Sequence, residues 1–128
     1  MRNILPLYLA LASVVLLAGL HFIAGTFYLY WTVGWFDYLM HFLGGFGGGF
    51  VVVWFISNKN LSGVQIAIIT FVSVMIVGVA WEIFEYVNGI AQSTEGYRAD
   101  TFHDLLMDAL GSLTAVLVSL KQFIYDRN

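Results

Sequence analysis

Six side chains in three short stretches carry the chemistry of this sequence: Asp37 and His41, Glu82 and Glu85, Asp104 and Asp108. The pairs are spaced four, three and four residues apart, so each pair shares one face of a helix. Carboxylates and a histidine on neighbouring helices are the set from which the di-metal sites of helical bundles are built, there as Glu and Glu-x-x-His combinations. The spacings here are Asp-x-x-x-His, Glu-x-x-Glu and Asp-x-x-x-Asp. Oxygen-rich donors favour Mg, Mn or Ca, and an imidazole admits Zn or Fe. A proton-sharing carboxylate cluster accounts for the same residues without a metal. His103, next to Asp104, is a candidate acid/base. Arg98, ahead of the acidic pair, is a candidate partner for Asp100 or for an anionic headgroup.

These residues must be positioned by membrane helices. The chain has 128 residues, 60% of them hydrophobic and only 10% charged, with a mean hydropathy of +0.85. A soluble domain has about 25% charged residues. There is no cysteine, so disulfides and thiolate metal sites are excluded. A net charge of −3 with five basic residues leaves no nucleic-acid footprint. The first apolar run, Leu5 to Tyr30, is longer than the roughly 7 to 15 residues of a signal core and is read as a retained helix.

The expected fold is all-α: a single four-helix transmembrane domain over residues 1–128, with spans at about 5–30, 37–57, 64–87 and 103–125. Arg2, Lys59, Lys121 and Arg127 then fall on one side and Arg98 on the other, which places both termini in the cytoplasm. That topology brings all three acidic pairs to one depth in the outer half of the bundle. No Lys or Arg lies in the outer halves of these helices, and each buried charge costs about 2.5–3.5 kcal/mol on insertion scales. The acids are therefore protonated, open to water, paired with Arg98 or bound to a cation. Asp37 and Asp104 also suit interfacial helix starts, where acids favour the N-terminal dipole. His21, roughly 13 Å below the end of the first helix at about 1.5 Å per residue, is placed as a floor to the same cavity or as a satisfied polar residue. Ser93, Thr94 and Thr101 read as loop polarity. Gly44/Gly48 and Gly45/Gly49 read as faces for close helix approach and as candidate homo-oligomer contacts, with Gly111 and Ala115 doing the same on the last helix.

The pattern Asp37-x-x-x-His41-Phe42, Glu82-x-x-Glu85 and Arg98-x-x-Thr101-x-x-Asp104-x-x-x-Asp108-x-x-Gly111 resembles that of VanZ-like membrane proteins. The segment Trp81 to Tyr86 and the acidic final helix also resemble the YjdF-like bacterial membrane proteins. Glu85 stands where the VanZ-like pattern has Gln, and Asp108 where it has Asn; both departures add negative charge. The resemblance implies a four-helix fold with an external polar site, and VanZ-like proteins are associated with teicoplanin resistance and the cell envelope. The expectation is a divalent-metal site (Mg, Mn, Ca or Zn) among Asp37, His41, Glu82, Glu85, Asp104 and Asp108. It would act on a lipid-linked or phosphorylated envelope substrate, with His103 and Arg98 assisting. The alternatives are a proton- or cation-coupled transport element and a non-catalytic subunit of a membrane complex.

Overall fold

The computed structural model describes residues 4–89 and 97–125, with side chains described for residues 4–89 and 98–121. Arg2, Ser93, Thr94, Glu95 and Arg127 lie outside the described residues. Five helices follow in order: α1 (Leu5–Phe27), α2 (Leu29–Thr32), α3 (Phe36–Ile56), α4 (Gly63–Asn88) and α5 (Tyr97–Tyr125). Four of them are long and apolar enough to cross a membrane. The 21 residues of α3 span about 31 Å, the thickness of a hydrocarbon core of about 30 Å.

The helix ends have local causes. Pro6 opens α1, where its missing N–H costs nothing. Tyr28 ends that helix in a left-handed turn at φ 56°, and α2 follows at once. Ser62 and Gln65 form a reciprocal capping box at the start of α4, and Gly89 ends it at φ 65°. The last helix begins at Tyr97 rather than near His103, so Arg98 to Phe102 are helical and not loop.

Contacts fix the topology. Ala10 of α1 packs with Phe50 of α3 and Ala115 of α5, and Val53 of α3 packs with Ile66 of α4 and Val116 of α5. The long helices therefore run up, down, up, down. In such a bundle the two parallel members, α3 and α5, usually face each other across a diagonal. Here they are in the closest contact of all. A Cβ on Gly45 would overlap the Asp108 backbone, with Cα only 2.7 Å away, and one on Gly111 would meet the Phe46 backbone nitrogen at 2.7 Å. The glycines of α3 are divided among three partners: Gly45 and Gly49 face α5, Gly47 faces Ser13 of α1, and Gly48 faces Val74 of α4. This corrects the oligomer expectation for the Gly45/Gly49 face, which is filled from within the chain.

Gly111→Ala is accordingly expected to force backbone against backbone and to cost about 1–3 kcal/mol, the usual range for overpacking. A lowered unfolding midpoint in detergent is the readout. Elsewhere the large apolar side chains point outward, Phe22 and Val77 among them, as they do on helices solvated by lipid.

Candidate acidic site

The six residues named at the outset meet at one end of the bundle. Asp37 lies in the first turn of α3 and His41 one turn further in. Glu82 and Glu85 come from the last turns of α4, and Asp104 and Asp108 from the third and fourth turns of α5. His41 is the centre: its Nδ1 is 3.4 Å from Asp108 Oδ2 and its Nε2 is 3.8 Å from Glu82 Oε1, so its two ring nitrogens face carboxylates from two other helices. Ligand atoms of Asp37, His41 and Asp104 lie within 4.8 Å of one another, and so do those of His41, Glu82 and Glu85. Donors on opposite sides of a cation stand about 4–5 Å apart, twice a bond of 2.0–2.6 Å. The geometry is therefore within reach of a divalent ion.

Burial sorts the members. His41, Glu82, Asp104 and Asp108 are buried, whereas Asp37 and Glu85 are half-buried and form the open edge. Asp104, only 2% exposed, has an Oδ1 with no hydrogen-bond partner. An ionised oxygen in that position is costly unless a proton or a cation meets it. Glu82 and Glu85 also lie near the negative C-terminal end of the α4 dipole, the wrong end for a carboxylate. Local physics thus opposes this cluster, and something other than helix stability accounts for it.

Two supporting residues were not expected. Thr101 donates from Oγ1 to Glu82 Oε2 at 2.8 Å. It was read as loop polarity, but the early start of α5 puts it one turn before Asp104 on the same face. Gly78 leaves room for the Asp108 carboxylate, since a Cβ there would stand 2.5 Å from Oδ2. The i,i+3 spacing of Thr101 and Asp104 was the available signal for the first; Gly78, one glycine in an apolar run, gave none.

Other expectations are revised. Asp104 is no helix-starting acid, because α5 begins two turns earlier. His21 is not the floor of the site: it is exposed on α1, with Nδ1 2.9 Å from the Tyr30 hydroxyl. His103 is exposed as well, its Nδ1 2.6 Å from the Ala99 carbonyl and its ring 5.4 Å from that of Tyr38. Arg98 is exposed at the start of the same helix. Among the described residues, His103 is not one of the potential ligands that gather around His41.

Below the acids the core turns apolar. Ser112 and Ser119 are buried but return their hydroxyls to their own helix, at Ala109 and Ala115. Between them lie the layers of Ala10, Phe50 and Ala115, then of Val53, Ile66 and Val116.

No curated protein and no solved structure is similar to the chain. One family model, described as a predicted membrane protein, matches residues 2–124. With nearly its whole length matched, and with four helices able to span a bilayer, the chain belongs to the DUF2238 family of membrane proteins.

Proposed function

We propose that this protein binds a divalent cation inside the membrane, among Asp37, His41, Glu82, Glu85, Asp104 and Asp108, and acts there on a lipid-linked or phosphorylated substrate. The observation that carries the reading is His41, held between Asp108 and Glu82 with Glu85, Asp37 and Asp104 in ligand range. Five ionised carboxylates around one imidazole would repel one another strongly, and a bound cation would make the set favourable. The oxygen-rich donors suit Mg, Mn or Ca, and His41 admits Zn. Such an ion would polarise a phosphoryl oxygen or activate water. Arg98, at the same end of the bundle, is suited to receive an anionic headgroup, and His103 to exchange protons at the surface.

The apolar layers around Phe50 and Val53 support access from one end only and count against a transport path through the bundle. The placement of Lys59 and Lys121 at the opposite end supports an outward-facing site with both termini in the cytoplasm. A reporter fused after Asn128 is expected to be active in the cytoplasm, and activity outside the cell would reverse the orientation. The likeness of the motif pattern to that of VanZ-like proteins supports a role in the cell envelope.

Titration of the detergent-solubilised protein with Mn2+, followed by the loss of the free-ion resonance signal, tests the reading. Saturable binding is expected, and Thr101→Val, which keeps the side-chain shape but removes the donor to Glu82, should weaken it about 10-fold, as loss of an outer hydrogen bond to a ligand usually does. A wild type that takes up no Mn2+, Mg2+, Ca2+ or Zn2+ would sink the proposal.

A further inference from the structure

Two side chains of α5 each engage one end of a donor carried by another helix. Asp108 Oδ2 is 3.4 Å from His41 Nδ1, and Thr101 donates from Oγ1 to Glu82 Oε2 at 2.8 Å. The other ends of those two donors face each other, with His41 Nε2 and Glu82 Oε1 3.8 Å apart. Neighbouring ligands on one cation, with bonds of about 2.0–2.6 Å, stand roughly 3–4 Å apart. Nε2 and Oε1 are thus spaced as neighbours on a single ion.

Asp108 has different surroundings. Among the described residues, the ligand atoms within 4.8 Å of one another form two groups, Asp37 with His41 and Asp104, and His41 with Glu82 and Glu85. Asp108 touches His41 yet is in neither group. Its carboxylate is enclosed by two other helices. A Cβ on Gly78 of α4 would stand 2.5 Å from Oδ2, and one on Gly44 of α3 would stand 4.0 Å from Oδ1. Oδ2 is therefore packed between the imidazole and the α4 backbone, as suits a group that orients a ligand.

An imidazole that binds a cation through one nitrogen carries its hydrogen on the other and donates it, commonly to a carboxylate. At His41 that acceptor is Asp108, at Nδ1, so Nε2 is the ligand. The number of ions follows. His41 is common to both groups, and with Nδ1 given to Asp108 it has one nitrogen to offer. The groups are then two halves of one site, unlike a di-metal centre. A separate observation also points to a cation there: Asp104, in the first group, is 2% exposed and its Oδ1 has no hydrogen-bond partner.

We propose that Asp108 is a positioning residue that holds His41 with Nε2 toward Glu82 and commits the cluster to a single cation. The ligands are then His41 Nε2 with Glu82, Glu85, Asp37 and Asp104. The inference rests on the function proposed above and takes Asp108 out of the ligand set named there.

The test uses the full chain in detergent with 15N-labelled histidine, the His41 signals being assigned by their loss in His41→Phe. On titration with Zn2+, a diamagnetic probe, one equivalent is expected to bind. The Nε2 resonance should move to the metal-bound position while Nδ1 keeps its hydrogen. Asp108→Asn retains an acceptor for that hydrogen, so it should bind through the same nitrogen about 10-fold more weakly. Asp108→Leu keeps the branched shape without the acceptor and should lose about 100-fold. A merely structural role for Asp108 would neither fix which nitrogen is bound nor let Asn rescue what Leu loses. Coordination through Nδ1, or a second equivalent bound with comparable affinity, overturns the proposal, and the wild type decides this whether or not Asp108→Leu folds. A folded Asp108→Leu that binds as tightly as Asp108→Asn overturns it as well. A wild type that takes up no Zn2+ removes the function proposed above and this inference with it, whereas uptake through Nδ1 removes this inference alone.

Discussion

His41→Phe is expected to lower cation affinity at least about 100-fold, equivalent to about 2.7 kcal/mol. The imidazole is shared by both groups of potential ligands, so its loss removes a donor from each. Phenylalanine fills a comparable space between α3 and α5, which isolates the loss of the nitrogens from the loss of packing. The same substitution leaves Asp108 and Glu82, both buried, without the ring that now separates them. Breaking a buried pair by removing one partner costs about 3–5 kcal/mol when the survivor stays charged. The variant is therefore expected to be less stable than the wild type in cation-free buffer. Isothermal titration with Mn2+ and thermal unfolding of the two proteins are the measurements.

The second large effect is on stability. A ligand that binds only the folded state stabilises it by RT ln(1 + [L]/Kd), about 2.7 kcal/mol at 100 times Kd. Stripping the protein with a chelator is expected to lower its unfolding midpoint, and readdition of the ion to restore it. Asp104→Asn should be nearly insensitive to both treatments. Its Oδ1 is a buried oxygen with no hydrogen-bond partner, and an amide in that position neither repels its neighbours nor needs a counter-charge. That variant is expected to match the stripped wild type or to exceed it in stability while failing to respond to cation. A wild type whose midpoint ignores both chelator and cation would remove this part of the account.

Much of the site was legible because the information lies in spacing. Asp37 with His41, Glu82 with Glu85, and Asp104 with Asp108 fall on single helix faces, and an alternating topology brings those faces to one depth. Azimuth is less legible. A rise per residue places His21 at a suitable depth, but α1 packs chiefly on α3, and His21 turns to an exposed flank. The start of α5 was hidden because Arg98 to Thr101 are mostly polar and fall outside the apolar window, although they are helical. Thr101 was missed for that reason alone. Small residues on α3 announce close packing but not the partner, so the division of Gly45, Gly47, Gly48 and Gly49 among three helices needed the structure.

The central claim is that the carboxylates around His41 hold a divalent ion. Elemental analysis of the purified protein, wild type beside Glu82→Gln, tests it most directly. Near-stoichiometric metal in the wild type and its loss in the variant is the result expected. Wild-type protein that carries no metal even after incubation with Mg, Mn, Ca or Zn, or a Glu82→Gln variant that retains the full complement, would contradict it.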